Sequence, residues 1–399
     1  MKMVELIKSK RLFKSFHQTI IALALLMMCF LLIYAFQKNL VLKNKTKEFN
    51  QKEGDFLRQL TVVSEELNTL KDQDQVKINK SLKEEIANIQ KTYLKAVNSY
   101  ENLLGLKNQT KKTEKFEEIF AESLKLLSER KYSSAAATLF NLDRKIEEEK
   151  QKIAITFKIP ENLPQSNAPP PAGGYQRQKV SIDSGIFMVD IISADLNSTK
   201  VIVDTASESD CPDNCPVLSL GEYVARNGAY AGVNGSYFCP ATYPSCTNKK
   251  NSFDTLLMNK NKRYFNSENN VYSTVPAVIF GGNWARFVSQ SLEWGRDTGV
   301  DAVLANRPLL VFNSQIFYTG GGDIKEGKGS RSFVGNTGSI VYIGVVHNAT
   351  IIESAKVLHT LGMDHALNLD NGGSTALWFG GYKVGPGRNI PNAVLFIKK

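Results

Sequence analysis

The chain has 399 residues, of which 42% are hydrophobic and 22% charged, and its formal net charge is +10 at pH 7. This length exceeds one typical domain and predicts two or three units. Residues 1–47 hold nine Lys/Arg and one acid, whereas residues 48–178 hold 21 basic and 20 acidic side chains and residues 179–399 hold 19 and 18. The basic excess therefore flanks one segment, which argues for a membrane surface and against nucleic acid as the partner.

That segment, residues 19–36, is an apolar run without a charge. Eighteen residues in a helix span roughly 27 Å, which is enough to cross a thin bilayer. A cleaved signal peptide is the alternative, but its apolar region is normally shorter, and Ala35 stands alone between Tyr34 and Phe36 where a cleavage site needs two small residues. We predict a transmembrane signal anchor at residues 19–36, preceded by a basic cytoplasmic N-terminus at residues 1–18.

Cysteine usage predicts the orientation. Cys29 lies in the apolar segment, and the other four cysteines are Cys211, Cys215, Cys239 and Cys246. Four clustered cysteines suggest two disulfides with three possible connectivities, of which the local pairs Cys211–Cys215 and Cys239–Cys246 are preferred. Zinc is the alternative, although Cys-x3-Cys and Cys-x6-Cys are not the usual ligand spacings. We predict a single-pass membrane protein with an extracytoplasmic C-terminal domain.

Residues 45–157 are predicted to be helical, because they are rich in Lys, Glu, Gln, Asn and Leu and contain no proline. Between residues 82 and 103 apolar side chains recur in steps of four and three, the seam of a coiled coil or packed helix. Two further helical patterns meet at residues 128–132 and resemble a helical hairpin. A single hairpin is too little for a repeat array, so we predict a stalk that spaces or oligomerises the C-terminal domain.

Residues 158–178 are predicted to be a semi-rigid linker, because they contain five prolines and two glycines. Residues 179–399 then show the alternation of strands, with only two clear helical patterns, at residues 220–226 and 351–361. The fold class predicted for this domain is α+β, a mixed β-sheet domain with few helices. The predicted strands are residues 186–192, 200–203, 275–280, 309–312 and 339–346.

The most informative stretch is residues 366–375, Ala-Leu-Asn-Leu-Asp-Asn-Gly-Gly-Ser-Thr. Asn368 and Asp370 alternate with leucines and so leave the same face of a short strand. Gly372 and Gly373 permit positive φ or a close backbone approach, and Ser374 adds a hydroxyl. A rigid strand end that presents a carboxylate is a common place for chemistry, although a plain strand and Asn-Gly turn has the same composition.

Three other stretches accompany this one, each weak alone. They are Asn-Gly-Ser-Tyr-Phe at residues 234–238, Arg-Ser-Phe-Val-Gly at residues 331–335, and Arg-Asn-Ile-Pro-Asn at residues 388–392. With residues 368–375, and in this order, they resemble the phosphodiester glycosidase family, the N-acetylglucosamine-1-phosphodiester alpha-N-acetylglucosaminidase-like domain that is also found in bacterial exopolysaccharide-associated proteins. The resemblance covers residues 179–399.

Two features depart from the family pattern. Asn371 stands where the family usually has the first glycine after the aspartate, which is expected to alter the turn. The insert between Cys239 and Cys246 is not part of the general pattern and is expected to form a lid or rim beside the site.

The resemblance implies hydrolysis of a sugar-1-phosphodiester. Such a reaction needs a carboxylate near the anomeric carbon, and Asp370 is the candidate nucleophile, base or electrostatic stabiliser. Arg331 and Arg388 are the candidates for bidentate recognition of the phosphate.

The remaining candidates are assigned to sugar and phosphate oxygens. Asn234 and Asn368 are expected to orient sugar hydroxyls, and Tyr237 to stack on the ring or donate a hydrogen bond. Gly372 and Gly373, with Ser374, are expected to bind substrate through backbone N–H groups and a hydroxyl.

The sequence thus predicts a membrane-anchored extracytoplasmic hydrolase that acts on cell-envelope or exported glycans, with a possible homo-oligomer through the stalk. No cofactor, metal site or nucleic-acid partner is predicted. The alternatives are a non-catalytic glycan-binding domain that keeps the fold and a structural envelope protein.

Overall fold

A computed structural model describes residues 2–72, 74–321 and 327–399. The side chains of residues 2–20, 22, 72 and 74 lie outside this description. The predicted basic cytoplasmic N-terminus, residues 1–18, therefore lies outside the residues whose side chains are described. The chain divides into two compact units, Met1–Asn88 and Ile89–Lys399. The predicted stalk is divided between them, because its second half is compact with the C-terminal domain.

The first unit is dominated by helix α1 (Lys2–Asp72). Its segment Leu23–Lys71 contains an eighteen-residue window of mean hydropathy 1.8, none of which is buried. Within the described residues this one helix is long and apolar enough to cross a membrane, a criterion that a signal sequence near the N-terminus also satisfies. The coarse prediction, one apolar N-terminal helix, is confirmed.

The second unit begins within helix α2 (Asp74–Lys107), which packs against the hairpin of α3 (Glu114–Ser128) and α4 (Tyr132–Thr156). Leu103 from the predicted apolar seam is buried against α4 in a small cluster with Leu142 and Ile146. Leu82 and Ile86, earlier in the same seam, are about half exposed, at 49% and 53%. The second half of the seam is therefore used within the molecule, to hold α2 on the hairpin.

The proline-rich segment after α4 lies along the first strand of the C-terminal domain. Lys179 N–H donates to Pro164 O at 2.8 Å, and Gln178 Nε2 donates to Ser166 O and Ala168 O. Proline lacks an N–H but keeps its carbonyl, so such a segment can accept hydrogen bonds from a sheet edge. The first strand begins at Tyr175, inside the range predicted as linker.

Seventeen strands and three further helices, α5 (Leu220–Asn227), α6 (Asn269–Tyr272) and α7 (Ile351–Thr360), follow in the described residues. The strands are β1 (Tyr175–Ile182), β2 (Gly185–Asp195), β3 (Thr199–Thr205), β4 (Ala231–Asn234), β5 (Leu257–Met258), β6 (Tyr264–Phe265), β7 (Ala277–Gly281), β8 (Trp284–Val288), β9 (Ala302–Ala305), β10 (Leu309–Phe312), β11 (Gln315–Ile316), β12 (Gly329–Thr337), β13 (Ile340–Ala349), β14 (His365–Asn368), β15 (Leu377–Phe379), β16 (Tyr382–Val384) and β17 (Asn392–Lys398).

The strands form three antiparallel sheets. Their orders are β1-β2-β13-β12-β14-β10-β11, β16-β15-β4-β17-β3 and β6-β5-β9-β7-β8. One core cluster contains buried residues of all three sheets, and a second lies under α7. Both α5 and α7 begin with a capping box, Ser219 with Glu222 and Thr350 with Glu353, which satisfies the first N–H groups of each helix. The predicted α+β class with few helices is confirmed.

The fold brings two strand ends together at one seam. Strand β14 belongs to the seven-stranded sheet and β4 to a five-stranded sheet. Beyond their last residues the two chains are joined directly, because Asp370 N–H donates to Gly235 O at 2.9 Å. This seam positions the candidate site.

Candidate active site

A cavity of about 970 Å³ opens at the seam between the sheets. It is lined by seven of the nine residues predicted to be catalytic or substrate-binding. They are Tyr237, Arg331, Asp370, Gly372, Gly373, Ser374 and Arg388. Asn234 and Asn368 are fully buried behind the cavity wall.

The carboxyl group of Asp370 is the buried acid of this cavity, with the residue only 8% exposed. Burial raises its pKa to about 6, while hydrogen bonds from Ser374 and from the Asn371 N–H, and the charge of Arg388, act in the opposite direction. The Asn371 N–H donates to Asp370 Oδ1 at 2.8 Å. A carboxyl group with a pKa near 6 can exist in either protonation state close to neutral pH.

Asn234 holds the backbone of Asp370. Its Nδ2 donates to Asp370 O at 2.7 Å, and its Oδ1 accepts from Ser332 Oγ at 2.8 Å and from Ala376 N–H at 3.0 Å. Because the side chain is fully buried, these protein groups take the place of the sugar hydroxyl that the sequence assigned to it. Asn234 is a positioning residue.

Asn368 likewise serves the neighbouring loop. Its Nδ2 lies 2.8 Å from the Tyr237 hydroxyl and 3.0 Å from Arg307 O, and its Oδ1 accepts from Asn371 Nδ2 at 3.1 Å. The side chain is fully buried and does not line the cavity, so it supports the Tyr237 hydroxyl from behind.

The Tyr237 hydroxyl keeps its proton available for a hydrogen bond. The oxygen accepts from both Asn368 and Asn371, at 2.8 and 2.9 Å, and no described residue accepts the O–H. Burial, followed by the negative charge of Asp370, raises the pKa of Tyr237 to about 12. The hydroxyl is therefore protonated at neutral pH and is able to donate to a bound ligand.

Asn371 fits its position without strain. Its φ is −125° and its ψ is 178°, an extended conformation that any residue adopts. Its Oδ1 accepts from Ser332 N–H at 3.1 Å, while its Nδ2 donates to Tyr237 and Asn368. The departure from the family pattern leaves the turn intact and adds a support for Tyr237.

The two glycines that follow are required for different reasons. Gly372 has a φ of +63°, which disfavours other residues. A Cβ on Gly373 would lie 2.3 Å from Arg388 Nη2 and 2.7 Å from Asn108 Nδ2. Neither glycine N–H donates to a protein acceptor among the described residues, so both remain available to an anion.

The two predicted arginines reach the cavity without a salt bridge to a carboxylate of the described residues. Arg331 donates through Nε to Ala349 O at 2.9 Å and through Nη2 to Gly327 O, and burial lowers its pKa. The Arg388 guanidinium lies 5.4 Å from the ring centroid of Tyr243. Neither forms an ion pair within the part of the chain that the structure describes, so both charges are available to a ligand.

Asn306 and Arg307 also belong to the site, although neither was predicted from the sequence. Asn306 is fully buried and connects the site's two loops, because its Oδ1 accepts from Tyr237 N–H at 3.1 Å and its Nδ2 donates to Asn368 O at 2.8 Å. Arg307 is exposed and lines the cavity. The available signal was the pattern of a short apolar strand followed by asparagine, which β9 and Asn306 share with β4 and β14.

Both disulfides have the predicted pairing, Cys211–Cys215 and Cys239–Cys246, which is confirmed. The second closes the loop that carries Pro240 and Tyr243 to the cavity. This loop lies at the edge of the site, where the sequence predicted a lid or rim.

The comparison with known protein families concerns the region that carries this cavity. Residues 227–397, less than half of the chain, match the model of the phosphodiester glycosidase family, and this match confirms the resemblance found in the sequence. A search of curated protein sequences finds no match.

Three similar solved structures have low identity. The zebrafish N-acetylglucosamine-1-phosphodiester alpha-N-acetylglucosaminidase catalytic domain, auto-inhibited by its pro-peptide, is 13% identical with a TM-score of 0.45, over 60% of this chain and 87% of that one. A hypothetical protein from Synechocystis is 12% identical with a TM-score of 0.38, and the match covers 56% of this chain and 62% of that protein. A putative exported protein from Burkholderia pseudomallei is 11% identical with a TM-score of 0.35, over 54% and 75% of the two chains.

Proposed function

We propose that this protein is a membrane-anchored hydrolase whose extracytoplasmic C-terminal domain cleaves sugar-1-phosphodiesters in cell-envelope or exported glycans. The observation that carries the proposal is the presence in one cavity of a buried carboxyl group, Asp370, and of arginines that have no ion-pair partner among the described residues. The family of the domain agrees with this chemistry.

The basic groups suit a phosphodiester. Arg331 and Arg388 approach the cavity with guanidinium groups, which bind phosphate oxygens in a bidentate manner. Arg307 adds a third cation. The free N–H groups of Gly372 and Gly373 supply further donors beside Asp370, as in other anion-binding turns.

The acidic group suits cleavage at the anomeric carbon. The bond between C1 and the phosphate oxygen breaks, the phosphate monoester leaves with that oxygen, and water supplies the new oxygen at C1. Asp370 in its carboxylate form stabilises the oxocarbenium-like transition state or attacks C1. The Tyr237 hydroxyl donates to a sugar or phosphate oxygen, and because a phosphate monoester is a weak base, no strong general acid is needed.

The reaction is tested with the full chain in detergent micelles. The substrates are methyl esters of hexose-1-phosphates, including N-acetylglucosamine-1-phosphate, and the readout is released sugar. We expect release by the wild type and a loss of at least about a hundredfold in Asp370→Ala. Asp183→Ala, which removes an exposed carboxylate in the turn between β1 and β2, outside the cavity lining, is the matched control. Equal release by wild type and Asp370→Ala would overturn the proposal.

The non-catalytic alternative depended on Asn371. The backbone of Asn371 is extended and its side chain forms hydrogen bonds with Tyr237 and Ser332. Asparagine in place of the family's glycine therefore does not disrupt the turn. We therefore favour the hydrolase.

We also propose that copies of the chain associate through α1. Five side chains beyond the apolar segment recur in steps of four and three, and each is more than half exposed. They are Phe56, Leu60, Val63, Leu67 and Leu70. If Leu60 and Leu67 are a positions of a coiled coil, Glu66 is a g position and Lys71 an e position. In a parallel pair Glu66 of one copy then lies opposite Lys71 of the second copy, where opposite charges stabilise the pair.

A further inference from the structure

The cavity at Asp370 has a second wall, which comes from the helices. Helix α2, the residues just after it, and α4 line the cavity together with the β domain. The nearest approach is at Asn108, whose amide lies so close to Gly373 that a Cβ there would be 2.7 Å from Asn108 Nδ2. The segment predicted as a spacer therefore reaches the turn that carries the candidate catalytic carboxylate.

Specific contacts hold these helices to the β domain. Glu101 Oε1 accepts from Ser245 N–H at 2.9 Å, next to the cavity. At the other end, Asn348 Nδ2 donates to Ala154 O at 2.8 Å. The ring of Phe157 stacks on His347 with centroids 6.3 Å apart. The second wall is thus fixed at both ends, within one compact unit.

The two walls differ in charge. On the β side the charged lining residues are four basic and two acidic: Arg307, Lys328, Arg331, Arg388, Asp254 and Asp370. On the helical side they are one basic and three acidic: Lys150, Glu101, Asp143 and Glu147. A ligand that spans the cavity therefore meets a phosphate-binding surface on one side and a surface unfavourable to anions on the other.

The helical wall also presents amides. Asn108 and Gln109 are exposed, line the cavity and make no side-chain hydrogen bond to a described residue. An amide offers two donors and an acceptor, the combination that matches sugar hydroxyls. The cavity volume of about 970 Å³ is at the upper end for ligand pockets, so the helices leave room for more than one sugar ring.

We propose that this helical wall binds the aglycone, the part of the substrate beyond the phosphate, and selects an uncharged polyhydroxylated group such as a glycan over an anionic one. The inference rests on the proposed sugar-1-phosphodiester hydrolysis and assigns the second half of its substrate. Asn108 and Gln109 are its binding residues. The helix that precedes them, α2, is held to the β domain by Glu101, which accepts from Ser245 N–H, and to α4 by Asp143, which accepts from Ser99 and Asn102.

Gly105 provides the test. It lies on α2 against the cavity, and a Cβ there would meet nothing within 4 Å. Gly105→Leu therefore adds its Cβ without a clash, adds side-chain volume on the aglycone side and removes a helix-destabilising glycine. Gly54→Leu in α1 is the matched control, because Gly54 is also helical and has nothing within 4 Å of its Cβ position.

The full chain is assayed on three esters of one sugar-1-phosphate: a methyl ester, an ester to a neutral disaccharide, and an ester of similar size that carries a second phosphate. We expect the wild type to prefer the disaccharide ester to the doubly phosphorylated one. In Gly105→Leu we expect KM for the disaccharide ester to rise about tenfold, with the methyl ester changed by less than about twofold. Asn108→Ala should act in the same direction.

Two outcomes would overturn the inference while the reaction itself stands: equal effects of Gly105→Leu on all three esters, or faster cleavage of all of them. The second result would make the helices a cover and not a binding wall. Calorimetric binding of the same esters to full-length Asp370→Asn separates the inference from the reaction. If the wild type cleaves no ester but Gly105→Leu weakens binding of the disaccharide ester, the proposed hydrolysis is wrong and aglycone binding by the helical wall is supported. If Gly105→Leu leaves this binding unchanged, aglycone binding by the helical wall is rejected.

Discussion

Burial and charge act in opposite directions on the carboxyl group of Asp370. Removal from water favours the neutral form, and the neighbouring N–H, hydroxyl and Arg388 favour the charged one. The net result is a pKa of about 6, above the ordinary value for aspartate. A carboxylate held in such an environment is costly to the fold and useful near a developing positive charge.

This cost gives Asp370→Asn a pH-dependent effect on stability. Because the folded domain binds the Asp370 proton more tightly than the unfolded chain, its stability falls as pH rises from about 4 to about 6. Asparagine keeps the acceptor for Asn371 N–H without the charge. We expect Asp370→Asn to raise the free energy of unfolding by roughly 1–3 kcal/mol at pH 7.5, with little gain at pH 4.

Urea denaturation of wild type and Asp370→Asn at the two pH values measures this difference. Asp183→Asn, at an exposed pair with Lys356, should leave the stability nearly unchanged at either pH. A wild type that is as stable as Asp370→Asn at pH 7.5 would contradict a raised pKa.

Asn371 allows a second prediction, in which the family's usual residue destabilises this protein. Asn371→Gly removes the acceptor of Ser332 N–H and a donor to Tyr237, and it adds backbone freedom to the unfolded chain. We expect a loss of about 1–3 kcal/mol in the free energy of unfolding, measured by urea denaturation.

The companion substitution is Asn371→Asp, which keeps the acceptor for Ser332 N–H but not the amide donor. It should lose less stability than Asn371→Gly if the Ser332 hydrogen bond dominates. An unchanged stability in Asn371→Gly would show that the side chain supports nothing in the site.

At the scale of elements, α1 carries the association proposed here. Leu60→Glu with Leu67→Glu places charges at two positions of the apolar stripe, and like charges facing each other in a paired helix are unfavourable. We expect the full chain in detergent micelles to change from an oligomer to a monomer, as measured by light scattering corrected for bound detergent.

Thr61→Glu with Asn68→Glu is the matched control, because it adds the same charges one position further round the helix, away from the stripe. It should leave the oligomer intact. A wild type that is monomeric across the accessible concentration range would remove the basis for association through α1.

The whole molecule allows a test of orientation with its own cysteines. Cys29 is the free cysteine of the described residues, and the other four are paired in the C-terminal domain. If that domain faces outward, a membrane-impermeant maleimide should label the Cys29→Ser chain on intact cells only after mild reduction. Labelling that requires cell lysis would place the domain inside.

Much of the architecture follows from local pattern. The apolar run at residues 19–36, the helices α5 and α7 and the main strands are each visible because hydrophobic periodicity reports which face of an element is buried. The turn at Asp370 is likewise local, since the φ of Gly372 is a property of a few adjacent residues.

The tertiary structure alone decided which polar residues face the cavity and which support it. Asn234 and Asn368 end strands in the same way as a ligand-binding residue would, and only their burial and partners identify them as supports for Asp370 and Tyr237. The approach of Asn108 to Gly373 is also invisible in either segment. Local periodicity indicates which face of a helix or strand is buried, but not which segment covers that face, because contacts between distant segments depend on how the sheets and helices pack. By itself, then, the sequence determined the family, the candidate carboxylate and the anchor-like segment, and the packing decided that the predicted stalk forms a wall of the site.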